Sequence, residues 1–248
     1  MANLAWLTAR PIAHRGLHDA TAGLIENTAS AFAAAIAGNY GIETDLQISA
    51  DGEAIVHHDD ALGRLTEGSG KLSEMSAAEI QKVRFKASAD MILTLGDSCE
   101  LVGGRVTLVL ELKSRFDGDR RLLQRAAAVL ATYGGPVAVM SFDPAWVEAL
   151  RTIAPRLARG IVAERYYVHY EWDRLPPSEK RRMAHLLHAG RTRPQFVAYS
   201  IKDLPAAAPL IARAIFGLPL LTWTVRNEDD RRRAMRWADQ IIFEGIHP

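Results

Sequence analysis

The sequence predicts an α/β chain folded as a (β/α)8 TIM barrel with a small insertion after its second strand. Short apolar runs rich in β-formers alternate with amphipathic Ala/Leu/Arg segments along all 248 residues. Eight such runs in that length match the strand count and size of one closed parallel barrel. Two of the runs carry charged residues spaced i, i+2: Glu43 and Asp45 in Gly-Ile-Glu-Thr-Asp-Leu, and Glu111 and Lys113 in Leu-Val-Leu-Glu-Leu-Lys. Side chains along a strand alternate between faces, so each pair points one way. An apolar strand with a charged tip is how sites are built on parallel α/β sheets.

Taken in order, strands are expected near residues 11–13, 41–46, 107–111, 137–141, 159–163, 195–200, 220–224 and 240–243. Helices are expected near 28–37, 119–132, 144–153, 178–189, 205–216 and 228–238. Asn27 or Thr28 caps the first helix and Gly38 stops it; Gly134-Gly135 and Gly190 are expected to end two more. An open doubly wound sheet is the alternative, weakened because no Gly-x-Gly-x-x-Gly turn follows the first strand. The second and third strands lie unusually far apart, so residues 47–100 are assigned to the insertion. The chain stops just after the eighth strand, which leaves no room for a full eighth helix, and residues 3–9 are expected to close that end. No repeat, linker or low-complexity segment divides the chain, so 1–248 reads as one domain.

Composition narrows the function. The chain is 48% hydrophobic and 24% charged, ordinary values for a globule with a sizeable core. A net charge of +1 gives no argument for nucleic acid as a partner. The basic run Arg231-Arg232-Arg233 follows Glu228-Asp229-Asp230, the polarity a solvated helix prefers along its dipole. Cys99 is the single cysteine, so no intrachain disulfide forms. The first residues lack the charged start and apolar stretch of a signal peptide. No run approaches the roughly 18 apolar residues of a membrane span. A cytoplasmic protein without stable membrane insertion is the expectation.

The insertion opens with two alternating runs around Asp51-Gly52, a two-residue hairpin signal. With those two residues as the loop, Ala50 faces Glu53, and counting back sets Asp45 opposite His58. Directly paired residues share a face, which would put His58 with Glu43 and Asp45 and turn His57 away. A one-residue slip reverses that choice.

Neighbouring strands lie roughly 4.8 Å apart, so Glu43 and Asp45 converge with Glu111 on the next strand of a barrel. Three carboxylates at that range force one to hold a proton unless a cation neutralises them. All-oxygen ligation favours Mg2+ or Ca2+, with open positions facing the barrel mouth. Ion pairing with Lys113 and Arg15 is the alternative reading of the same acids. The first strand ends Ile12-Ala13-His14-Arg15-Gly16: a histidine beside the carboxylate strand, an arginine whose planar fork suits phosphate, and a glycine that allows close backbone approach. Two histidines flanking a metal site divide proton removal and proton donation between them.

These residues fall into an ordered set. Ile12-Ala13-His14-Arg15-Gly16, Glu26-Asn27-Thr28 with Ala31-Phe32, Gly41-Ile42-Glu43-Thr44-Asp45, and His58-Asp59-Asp60 with Leu62 and Arg64 come first. Leu110-Glu111-Leu112-Lys113, Ser141-Phe142-Asp143 and Trp223-Thr224-Val225 follow. Together they resemble the glycerophosphodiester phosphodiesterase family over essentially the whole chain. The resemblance implies a (β/α)8 barrel and metal-dependent cleavage of glycerophosphodiesters to glycerol 3-phosphate and an alcohol. It implies that His14 and His58 are the acid/base pair, that Glu43, Asp45 and Glu111 are metal ligands, that Arg15 and Lys113 contact phosphate, and that Trp223 walls the glycerol pocket. The chain departs from the family where Phe243-Glu244 replaces a Thr-Asp pair, which leaves the role of Glu244 open, and where Leu93 replaces a proline.

Other features are weaker. Phe142 at a strand end is a candidate lining residue. His185 and His188, three apart on an expected helix, read as a solvated face rather than a metal pair. Trp6, Trp146, Trp172 and Trp237 read as packing residues. Tyr166, Tyr167, His169, Tyr170 and Trp172 form an aromatic loop after the fifth strand, expected as a rim or lid on the catalytic side. Three further readings stand beside the phosphodiesterase: a Schiff-base enzyme built on Lys113, a lysophospholipid-cleaving enzyme, and a binding barrel without catalysis. The last has no need of two proton-transfer histidines.

Overall fold

Among the described residues eleven strands form, in chain order: β1 Ile12–His14, β2 Gly41–Ile48, β3 Ala54–Val56, β4 Ala61–Leu62, β5 Gly70–Lys71, β6 Leu108–Leu112, β7 Val137–Ser141, β8 Ala158–Ala163, β9 Phe196–Ser200, β10 Leu220–Val225 and β11 Gln240–Phe243. The computed structural model describes residues 4–248, apart from the side chain of Tyr170. Strands β1, β2 and β6 to β11 pair in parallel, and β1 pairs with both β2 and β11, so the sheet closes into a (β/α)8 barrel. Every residue of β2, β6 and β9 is buried, the pattern of strands covered on both faces.

The helices are α1 Ala29–Ala37, α2 Ala77–Ile80, α3 Leu95–Val102, α4 Arg121–Leu130, α5 Pro144–Ile153, α6 Pro177–Ala184, α7 Ala189–Thr192, α8 Ala207–Ala214 and α9 Glu228–Trp237. Thr28, not Asn27, caps α1, its side chain accepting from the Ala31 amide. Asn27 is left to face the acids. Gly38 ends α1 with its own backbone still right-handed, and the left-handed turn falls on Asn39. Gly134-Gly135 do not cap α4, which ends at Leu130. A Cβ on Gly135 would sit 2.5 Å from the Cα of Gly104, so close chain approach is what excludes a side chain there. The expected helix at 178–189 breaks at Ala184 because Leu186 adopts a positive φ of 53°. A separate turn, α7, then carries Gly190 inside it rather than at its end.

Two apolar layers hold the barrel. Inside it, Ile12, Val109, Met140, Val162, Phe196 and Leu221 interdigitate, and Leu4 and Leu7 plug the end opposite the strand tips. That fits the closing role expected of residues 3–9, although Asn3 lies outside the described residues. Between barrel and helices runs the larger layer, including Phe32, Leu46, Leu110, Val147, Val197 and Phe243. Burying a Leu- or Phe-sized side chain contributes about 1.5–3 kcal/mol, so these layers carry most of the stability.

The insertion has a small core of Ile55, Leu62, Leu72, Ile80, Phe85 and Ile92, which Ile25 from the segment before α1 joins, with β4 and β5 as a hairpin. It ends earlier than the sequence suggests. Helix α3 packs between α1 and α4 and serves as the barrel helix that follows β2.

Candidate active site

Parallel register delivers the acids. His14 on β1 pairs with Glu43 on β2, and Asp45 on β2 pairs with Glu111 on β6. The apolar residues of β1, β2 and β6 fill the two layers, while His14, Glu43, Asp45 and Glu111 bring ionisable groups together at one barrel mouth. Glu43, Asp45 and Glu111 are all buried, and each offers an oxygen within 4.8 Å of the other two.

The charges set the electrostatics. Burial, then Asp45 and Glu111, push Glu43 well above the ordinary carboxylate range. Burial would raise Asp45 too, but Lys113 and Arg15, then His58 and His14, hold it well below. The Lys113 ammonium lies 2.9 Å from Asp45 Oδ1 and 2.7 Å from Glu111 Oε1. Arg15 turns through a left-handed backbone (φ 57°). Its amide donates to Glu43 Oε2 at 3.2 Å, and its Nε sits 3.1 Å from Asp45 Oδ2 without hydrogen-bond alignment. Gly16 follows with φ 80°, and a Cβ there would lie 2.9 Å from the Ala31 carbonyl carbon, so the turn admits only glycine. Two cations thus face three acids, and Glu43 is left to take a proton. A hard divalent cation with oxygen ligands would relieve that protonation, so the residues present fit such an ion.

The hairpin count needs correction. The loop has three residues, Ala50, Asp51 and Gly52, with Gly52 at φ 86°, and Ser49 donates its amide to Glu53. The ladder therefore runs Ile48 to Ala54 and Leu46 to Val56, and it is the His57 amide that bonds the Asp45 carbonyl, at 3.1 Å. A glycine in the left-handed region adds one loop residue, which Asp-Gly alone does not distinguish from a two-residue turn. Strand β3 ends at Val56, however. His57 is buried with Nδ1 on the Asp59 carbonyl, while His58 emerges from the turn, its Nδ1 2.9 Å from Asp59 Oδ1. The charge of His58 acts on Asp45 although no ladder pairs them.

A second layer of polar residues appears among motif positions to which sequence reasoning assigned no role. Asn27 donates Nδ2 to Asp45 Oδ2 at 3.1 Å and accepts from Thr44. Glu26 holds both Arg15 and Arg64, and Arg64 also grips Asp59, the partner of His58. The signal available was the acid and amide of Glu26-Asn27 directly before a helix. Arg226, just past β10, binds Glu244, which in turn bonds His14 Nδ1 at 2.5 Å. His14 is buried and its pKa is lowered to about 4 by burial, against the bond from Glu244.

The aromatic residues gather on the other side. Phe142 meets Trp172 at 4.7 Å between ring centroids and Trp223 at 5.7 Å, the latter edge to face. Tyr167 and Trp172 are buried in this cluster with Met183 and Ala184, so the loop after β8 is a packed wall rather than a loose lid. Tyr166 is exposed, and the Tyr170 side chain lies outside the described residues. A cavity of about 550 Å³ opens beside Glu111 and Lys113, walled by Phe116, Phe142 and Trp172. Glu164, beneath Trp172, has a pKa raised to about 7 by burial, then by Asp203. His185 and His188 do not meet: His185 is exposed, whereas His188 is buried, contrary to a solvated face.

The profile of the glycerophosphoryl diester phosphodiesterase family matches residues 14–247. A glycerophosphodiester phosphodiesterase of Caldanaerobacter subterraneus is 29% identical over 246 residues, covering 94% of this chain and 93% of that protein. Glycerophosphodiester phosphodiesterase 1 of Bos taurus is 25% identical and covers 87% of this chain, which spans 59% of the bovine protein. Among solved structures, a phosphodiesterase of Oleispira antarctica in complex with its product sn-glycerol-3-phosphate superposes with a TM-score of 0.77. It shares 20% identity and covers 96% of this chain and 94% of its own.

Proposed function

From the premise that the chain belongs to the glycerophosphoryl diester phosphodiesterase family, enzymes that hydrolyse glycerophosphodiesters, we propose how this chain performs the reaction. The substrate is cleaved to glycerol 3-phosphate and an alcohol, with Glu43, Asp45 and Glu111 holding a divalent cation, Mg2+ or Ca2+. The observation that carries this reading is the convergence of three buried carboxylates within 4.8 Å, one of them driven toward protonation. When bound, the cation supplies Lewis-acid polarisation of the phosphoryl group.

The chain's own residues supply the rest. Lys113 and Arg15 bring positive charge to the rim of the cluster, where negative charge grows on the phosphoryl oxygens. His14 and His58 divide the proton traffic. His14 Nε2 stands 3.8 Å from Glu43 Oε2, and His58 approaches from the turn after β3. Trp223 and Phe142 stand over the inner core of the barrel, where an apolar wall suits the carbon face of glycerol. The alcohol leaves into the cavity walled by Phe116, Phe142 and Trp172, which favours alcohols with an apolar portion, lysophospholipids included. We place the reaction in the cytoplasm; among the described residues no helix is long and apolar enough to cross a membrane.

The test is a panel: glycerophosphocholine, glycerophosphoethanolamine, glycerophosphoinositol and a lysophospholipid, each with Mg2+, Ca2+ or Mn2+. Release of glycerol 3-phosphate that depends on the added ion is expected. Turnover that survives complete chelation, or no product from any substrate, would sink the proposal.

A further inference from the structure

The parallel ladder sets three ionisable groups in one row. Ala13 pairs with Phe243 and His14 with Glu43, so Glu244 just past β11, His14 at the end of β1 and Glu43 within β2 line up. The imidazole bridges them, with Nδ1 2.5 Å from Glu244 Oε2 and Nε2 3.8 Å from Glu43 Oε2. Resting on the phosphodiesterase reading, we propose that Glu244 is the positioning carboxylate of His14, fixing the tautomer and ring orientation with which it exchanges protons.

The chemistry of the pair dictates the tautomer. An ionised carboxylate only accepts hydrogen bonds, so Nδ1 must carry the hydrogen, and Nε2 then presents its lone pair toward the acid cluster. Glu244 itself is gripped on several sides. Its other oxygen binds Arg226 Nε, its amide donates to the Val225 carbonyl at 3.1 Å, and His18 Nε2 stands 3.8 Å from Oε2. Arg226 is tied to the start of α9, its amide donating to Asp230. The carboxylate therefore cannot follow the imidazole if the ring rotates. When a proton arrives on Nε2, the new positive charge lies against Glu244, as in the carboxylate–histidine pairing that orients other general bases. His14, His18 and Glu244 also lie close enough to share a metal ion. The guanidinium on Glu244 already supplies the counter-charge there.

The fold shows why the role was hidden. Glu244 lies just past the end of β11 and meets a ring 230 positions away only because the barrel closes β11 against β1.

The experiment compares wild type, Glu244→Gln and Glu244→Asp on glycerophosphocholine, with the nitrogen shifts of His14 read by 15N NMR. Wild type is expected to show Nδ1–H. Glu244→Gln is expected to lose at least a hundredfold in kcat with KM within threefold, alongside a shift of the His14 tautomer; a serine-protease triad loses about ten-thousandfold in kcat on the matching change. Glu244→Asp, which keeps the charge, is expected to retain at least tenfold more activity than Glu244→Gln. Equal losses in the two variants, or an unchanged tautomer in Glu244→Gln, would overturn the inference. If wild type itself releases no glycerol 3-phosphate, the function reading fails, whereas the NMR comparison still judges Glu244.

Discussion

Replacing Lys113 with methionine tests the electrostatics of the mouth directly. Lys113 is the ammonium between Asp45 and Glu111, at 2.9 and 2.7 Å. At an effective dielectric of 20, one unit pair at 2.7 Å is worth about 6 kcal/mol before desolvation. The loss cannot reach the sum of both pairs, because a proton replaces the lysine. A carboxyl of ordinary pKa takes a proton at pH 7 at a cost of about 3.7 kcal/mol, from 2.7 pH units at 1.36 kcal/mol each. That ceiling matches the 3–5 kcal/mol typical of breaking a buried pair. For a domain of this size it corresponds to a fall in Tm of about 7–15 °C. The proton is bound by the folded variant and not by its unfolded chain, so the variant regains stability as pH falls. At pH 5 the difference from wild type should shrink to about 1 kcal/mol. Urea melts with EDTA at both pH values provide the measurement, and saturating Mg2+ should also narrow the difference at pH 7. A loss below about 1 kcal/mol at pH 7, or one that grows on acidification, would refute the claim that Lys113 neutralises this cluster.

Other outcomes follow from the same geometry. His14→Ala should lose about 10²–10⁴ in kcat while its divalent-ion affinity, read by calorimetry, stays within threefold of wild type. Trp172→Ala, which opens the cavity wall, should change the ratio of kcat/KM between glycerophosphocholine and a lysophospholipid by tenfold or more while leaving ion affinity untouched; an unchanged ratio would detach the cavity from specificity. His188 supplies a pH test away from the mouth. Its pKa falls from 6.5 to about 4 on folding, through burial and then Arg191, and among the described residues neither ring nitrogen has a hydrogen-bond partner. Below pH 6.5 the unfolded chain binds a proton that the folded chain refuses, so stability declines as pH falls toward 4. The share due to His188 is about 2 kcal/mol between pH 7 and pH 5. His188→Met should flatten that slope by this amount in urea melts.

Much of the architecture was legible in the sequence because strand periodicity and helix caps are local. Gly-Ile-Glu-Thr-Asp and Leu-Glu-Leu-Lys announce strands with charged tips, and the eight-strand count leads to the barrel that forms. Parallel neighbours then bring Asp45 beside Glu111 without further information. The hairpin register was not legible, since one left-handed glycine adds a loop residue and moves every partner by one. His58 leaves β3 through a turn, bonded to Asp59, and its charge reaches Asp45 without the ladder pairing that the hairpin count assumed.

By itself the sequence determined which side chains share a face and which strand ends carry charge, because alternation along a strand is a property of the backbone. Tertiary structure alone decided what those charges meet. Glu26 links two arginines from distant segments, Arg226 clamps Glu244, and β11 sets Glu244 against a histidine 230 positions away. Closure of the barrel is the physical reason: it makes the first and last strands neighbours, a contact that no local pattern encodes.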